Sequence, residues 1–135
     1  MPRKQFTPEQ KREYFAGLRN QWQAAKALAA ADDSIGAMYT QLCTMGVGDI
    51  SMYNVSLILM QARQLNLDGL PYVDFKTYEM WRKAGFQVRK GETSPVFSLT
   101  WIGTKSDDET EATDRPKYPK LTHLFHSSQV EAITV

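Results

Sequence analysis

The sequence predicts an α+β fold, with a helical N-terminal half packed on a small antiparallel sheet from the C-terminal half. Three observations predict it. Apolar residues recur at helical spacing from Tyr14 onward, as Tyr14, Phe15, Leu18, Trp22, Ala25 and Leu28. Capping residues and glycines divide the first 85 residues into helix-sized segments. Beyond Gly85 the period changes to two.

The first helix opens at Thr7-Pro8-Glu9-Gln10, where Thr7 caps, Pro8 suits the first helical position and Gln10 completes a capping box. It extends to about Ala30. Asp32-Asp33-Ser34 breaks it and caps a second helix over about 35–45, bearing Ile35, Met38, Tyr39 and Leu42. Gly46 and Gly48 end that helix. Ser51 caps a third, MYNVSLILMQARQLNL, with Val55, Leu59 and Ala62 on one side and Leu57, Ile58, Gln61 and Leu65 widening the apolar girth. A helix apolar over so much of its circumference belongs at the centre of the core. Asp68-Gly69-Leu70-Pro71 is a turn and Tyr72-Val73 a short extended link. Asp74 caps a helix over about 75–84, ended by Gly85.

Phe86-Gln87-Val88-Arg89 alternates as a strand does, and Lys90-Gly91-Glu92 turns it into a hairpin with a second strand, 96–102. Residues 103–117 read as a polar loop and 121–126 as a third strand. Ser127-Ser128 caps a final helical turn over 129–132.

The 135 residues fit one domain spanning 1–135, with 1–50 as a helical N-terminal region. A net charge of +1 provides no global argument for nucleic acid, so any basic footprint is local. The charges are unevenly placed: residues 1–26 carry six bases and two acids, while DDETEATD at 107–114 carries five acids and no base. Cys43 stands alone, which excludes an internal disulfide and fits a reducing cytoplasm. MPRKQFTPEQ lacks the apolar core of a signal peptide, and the apolar stretch 55–60 is far too short for a bilayer, so no membrane partner is expected.

The most informative stretch is KTYEMWRKAGFQVRKGE, residues 76–92. Lys76, Arg82, Lys83, Arg89 and Lys90 stand against Glu79 and Glu92, with Tyr78, Trp81 and Phe86 between them. Cations hold phosphates and aromatic faces stack bases, so the mixture suits single-stranded nucleic acid; the bland alternative is a solvated amphipathic face. Arg89 and Lys90 flank the turn, where Gly91 lets the backbone approach a phosphate. Lys76 and Lys83, seven residues apart on the predicted helix, share a face. Tyr78 and Trp81, three apart, are helix neighbours. Trp81 either stacks a base or packs its helix on the core. Tyr53 and Asn54 begin the central helix, and Asn54 either bonds a base edge or phosphate or caps local backbone. Phe97 and Trp101 are core if they face the helices and a stacking surface if they face out.

Catalysis has little support. No Ser-His-Asp order stands out and Cys43 has no nearby His. His123 and His126, three apart on a strand, point to opposite faces and do not share a metal. Asp107, Asp108 and Glu109 have the chemistry to bind a divalent cation, but an acidic loop is the commoner explanation. The expectation is a binding domain with no catalytic residues, no metal and no cofactor.

Four pieces in order carry a family resemblance: Tyr53-Asn54-Val55-Ser56-Leu57-Ile58-Leu59, the segment Asp74 to Gly85, Val88-Arg89-Lys90-Gly91-Glu92, and Leu124-Phe125 with Gln129. Over about 51–133 the chain resembles the N-terminal domain of ArdC-type antirestriction proteins, a single-stranded-DNA-binding domain of plasmids and other mobile elements. The family motif continues with Lys-Gly after the Glu, whereas Thr93-Ser94-Pro95 follows here, one cation fewer. Full-length members add a zinc metalloprotease-like domain with H-E-x-x-H, and this chain has no such motif. The resemblance implies a weakly sequence-specific domain binding single-stranded DNA through Lys76, Lys83, Arg89 and Lys90, with Tyr53, Asn54, Tyr78 and Trp81 at the bases. Two further readings involve a protein partner. In one, the acidic loop 107–114 mimics phosphate as an inhibitor. In the other, Tyr14, Leu18 and Trp22 make the N-terminal helix a contact or dimer face.

Overall fold

The computed structural model describes residues 7–47, 50–103 and 117–133. Three helices come first: α1 (Pro8–Ala31), α2 (Asp33–Thr44) and α3 (Met52–Gln64). Their starts follow the sequence. The Thr7 hydroxyl accepts from the Gln10 N–H at 3.1 Å, and the Gln10 side chain accepts from the Thr7 N–H at 2.8 Å. Asp32 ends α1 and caps α2, accepting from the Ser34 N–H at 3.0 Å. The Ser34 hydroxyl and N–H hold the Asp32 carboxyl below its ordinary range, with Arg63, 3.7 Å away, adding to the effect. Ser51 caps α3 through the Asn54 N–H.

The remaining elements are β1 (Phe75–Lys76), α4 (Tyr78–Lys83), β2 (Phe86–Val88), β3 (Val96–Gly103), β4 (Lys117–His126), a 3-10 turn (Ser127–Gln129) and β5 (Val130–Ala132). Two antiparallel sheets form, one ordered β1-β4-β3 and one of β2 with β5. The architecture is α+β, as predicted.

The apolar girth of α3 has a specific cause. β3 is an edge strand, and α3 runs along that edge. Leu57 joins Leu18, Ala25 and Leu99 in one cluster, while Ile58 joins Phe75, Val96 and Leu124 in another. Val55 and Leu59 meet Ile35 and Leu42 of α2 in a third. The Ser56 hydroxyl donates to the Ala25 carbonyl at 2.7 Å, so a small polar residue lets α1 and α3 approach.

Two amides of α3 close the strand edge. Asn54 Nδ2 donates to the Leu99 carbonyl at 2.9 Å, and Asn54 Oδ1 accepts from the Leu99 N–H at 2.8 Å. Gln61 repeats the pattern on Phe97, with contacts of 2.8 and 3.2 Å. Each side chain supplies the donor and acceptor that a neighbouring strand's peptide would supply, and an open edge is thereby paired.

Several expectations are corrected. Asp74 does not cap a helix: its carboxylate accepts from the Leu70 N–H at 2.7 Å and closes the preceding loop. A Cβ at Gly69 would lie 2.5 Å from the Asp74 Cβ, so only glycine leaves room for that closure. The helix cap is Thr77, three residues later, because Phe75–Lys76 is taken into the sheet by His126 and Phe125. Tyr72 is no extended link but sits in a turn at φ 65°. The Lys90-Gly91-Glu92 turn exists, with the Glu92 N–H on the Arg89 carbonyl at 3.2 Å, but β2 pairs with β5 and no β2–β3 hairpin forms. Residues 130–132 are strand β5, not a helical turn. β4 starts at Lys117 and extends the predicted third strand. The acidic segment 107–114 lies outside the described residues.

Leu18 is buried and Trp22 packs against the same cluster. The stripe expected as a contact or dimer face is therefore spent largely on the protein's own core. Among the described residues, no helix is long and apolar enough to cross a membrane.

Candidate nucleic-acid interface

Two short turns grip each other at the end of β2. The Arg89 N–H donates to the Gln129 carbonyl at 2.9 Å, and the Arg89 guanidinium donates to the Ser128 carbonyl. Gln129 Nε2 donates to Glu92 at 3.0 Å and to the Thr93 carbonyl at 2.8 Å, while its Oε1 accepts from the His126 N–H at 2.9 Å. His126 in turn ties the turn to the 68–74 loop. Its Nε2 donates to the Asp68 carbonyl at 2.6 Å, and its Nδ1 accepts from the Ser128 N–H at 3.2 Å. The Val-Arg-Lys-Gly-Glu segment is thus held from outside its own strand, with Lys90 and Gly91 exposed at its tip. Gly91 has φ 88°, and a Cβ there would meet nothing within 4 Å, so the left-handed backbone rather than crowding calls for glycine.

Gln129 is the hub of this arrangement, and neither it nor Glu92 was among the residues predicted to act. Replacing Gln129 by Ala leaves the His126 N–H and the Thr93 carbonyl without those partners. The expected loss is about 1–3 kcal/mol of stability in urea unfolding. A loss near zero would mean that the turn is held by its backbone bonds alone.

On α4 the cations and aromatics separate. Tyr78 is 48% exposed, and the Arg82 guanidinium lies 5.9 Å from its ring centre, with an Nη1–hydroxyl contact of 3.4 Å. Tyr78, Arg82 and Lys83 line a depression of about 510 Å³ with Glu79. Lys76 and Lys83 do not share a helix face, because Lys76 lies on β1. They nevertheless line one depression of about 320 Å³, together with Tyr72 and Met80. Among the described residues, none of Lys76, Arg82, Lys83, Arg89 and Lys90 forms an ion pair with a carboxylate.

Two predicted base-contacting residues are corrected. Trp81 is 4% exposed, its indole N–H donates to the Phe125 carbonyl at 2.9 Å, Phe86 meets it edge-on, and Lys76 Nζ sits 4.8 Å from its ring centre. It is a core residue with no free face for a base. Asn54 neither bonds outward nor caps its helix, since both ends of its amide are taken by Leu99. Tyr53, by contrast, is 37% exposed and carries Lys26 Nζ at 5.4 Å from its ring centre. Arg82 lies outside the four cations expected at the backbone, and its spacing of four from Tyr78 is the sequence signal for their pair. Phe97 and Trp101 pack toward α1 and α3. His123 and His126 have separate partners, Ser94 for the first, and the described residues hold no group of three or more potential metal ligands.

Residues 44–130 match the family model described as the N-terminal domain of anti-restriction factor ArdC. The chain belongs to this family. Membership supports an antirestriction role. No curated protein and no solved structure matches the chain significantly. The four segments that carried the resemblance acquire distinct structural meanings within this family domain. Tyr53 to Leu59 forms the helix that seals the β3 edge, and Arg89 to Glu92 and Gln129 are the two halves of the gripped turn.

Proposed function

We propose that this ArdC-type domain binds single-stranded DNA without strong sequence preference. Lys76, Lys83, Arg89 and Lys90, joined by Arg82, hold the backbone, and the exposed rings of Tyr78 and Tyr53 stack bases. The observation that carries the reading is the set of cations around α4 and the 89–92 turn, free of carboxylate partners among the described residues, beside the exposed Tyr78–Arg82 pair. Phosphate contacts by mobile lysines fix no sequence, and stacking accepts every base.

Fluorescence anisotropy with a labelled oligonucleotide tests it. Five phosphate contacts predict a slope of about −3.5 for log affinity against log salt, since single strands contribute roughly 0.7 per neutralised phosphate. Arg89→Ala with Lys90→Ala should weaken binding at least about tenfold and flatten the slope by about 1.4. Absence of binding at low salt refutes the proposal.

A further inference from the structure

A recess of about 500 Å³ opens where the start of α3 meets α1 and β3. Trp22, Ser51, Tyr72, Ser98, Thr100 and Trp101 contribute to its wall. Its volume falls in the range of small-molecule sites, roughly 300–1,000 Å³. Among the described residues, no charged side chain lines it.

Three features at its wall go beyond ordinary core packing. Trp101 has a buried indole N–H without a hydrogen-bond partner among the described residues, a cost that native interiors rarely carry. Tyr72 is held at φ 65°, a left-handed conformation costly for a bulky residue. Burial raises its phenol above the ordinary value, with a bond to Ser98 opposing, so the group is a neutral hydroxyl at physiological pH. Aromatic rings also converge here: Trp22 meets Trp101 edge-on at 5.8 Å and Tyr53 edge-on at 5.8 Å.

The recess shares a lining residue with the cationic surface. Tyr72 lines both this recess and the depression of Lys76 and Lys83, and Lys83 lines both that depression and the one beside Tyr78 and Arg82. The cationic depressions therefore adjoin this aromatic cleft through one shared residue at a time. A strand whose phosphates follow the cations would bring an uncharged, planar, acceptor-bearing group to the cleft.

We infer that this recess receives one nucleobase of the bound strand, packed against the rings of Trp22 and Trp101. The inference rests on the proposed single-strand binding. The Ser51 and Thr100 hydroxyls donate or accept by rotating, so they satisfy different base edges and impose little preference.

The test compares a short fluorescein-labelled oligothymidylate with an oligonucleotide of the same length built from abasic sites, which keeps the phosphates and removes the bases. Wild type should prefer the oligothymidylate. Trp101→Leu, which removes the aromatic face, should weaken oligothymidylate binding about fivefold or more, the value of one base stack. It should leave the abasic affinity unchanged, which also shows that the variant is folded. Trp22→Leu should reduce the same preference. If both variants bind both oligonucleotides as wild type does, or lose affinity for both in equal proportion, the recess is not a base site while the cationic surface stands. If wild type binds neither oligonucleotide, both proposals fall.

Discussion

Replacing Asn54 and Gln61 together by leucine should lower unfolding stability by about 3–6 kcal/mol, with roughly half of that from each single change. The two amides satisfy the N–H and C=O of Leu99 and of Phe97. Leucine matches their bulk and offers neither donor nor acceptor, so four backbone groups lose their partners where β3 meets α3. Each such group costs about 1–3 kcal/mol when shielded from water, and partial exposure brings the sum toward the lower end. A domain of this size has about 5–15 kcal/mol in total, so the double variant should unfold at markedly lower urea. Asn54→Asp and Gln61→Glu keep an acceptor and lose the donor, and should fall between. A double-leucine variant within about 1 kcal/mol of wild type would show that water replaces the amides along the strand edge.

Trp81→Ala should cost about 3–5 kcal/mol, the usual range for truncating a buried large aromatic. Trp81→Phe should cost about 1–3 kcal/mol, mainly from the Phe125 carbonyl that loses its indole donor. The informative comparison is with DNA affinity. Because the ring is buried and Lys76 covers one side, Trp81→Phe should change oligonucleotide affinity less than about threefold while lowering stability. Tyr78→Ala should do the reverse: its ring is about half exposed, so stability should barely move while affinity falls by about 1–3 kcal/mol. A Trp81→Phe variant of unchanged stability with affinity reduced tenfold would return this ring to the binding face.

Within the proposed binding surface, the parts differ in how they are held. Lys90 is exposed at the tip and makes no ion pair among the described residues, whereas Arg89 already donates to Ser128. Arg89 therefore serves the turn as well as any phosphate, and Lys90→Ala should isolate the electrostatic contribution better than Arg89→Ala. The turn itself depends on Gln129, nearly forty residues downstream. A weakened turn would displace Lys90 without removing its charge.

The sequence by itself determined the elements whose signals are local. The Thr7–Gln10 capping box, the Asp32 break and the Ser51 cap rest on hydrogen bonds spanning two or three residues, and each forms where its residues stand. The change of period at Gly85, and the assignment of α3 to the core, likewise follow from side-chain order along one element. Only the tertiary structure decided between local options of nearly equal merit. Asp74 and Thr77 are both good caps, and pairing of Phe75–Lys76 with β4 left the role to Thr77. β2 had a sequence neighbour to pair with and took β5 instead, where Gln129 and Ser128 hold Arg89 and Glu92. The same holds for the site. The cations and tyrosines are legible as a composition, but which rings are buried depends on what packs over them, and that comes from residues far away in the chain. Trp81 and Tyr78 lie three positions apart on one helix, yet one is sealed by Phe86 and the Phe125 carbonyl and the other is left to solvent.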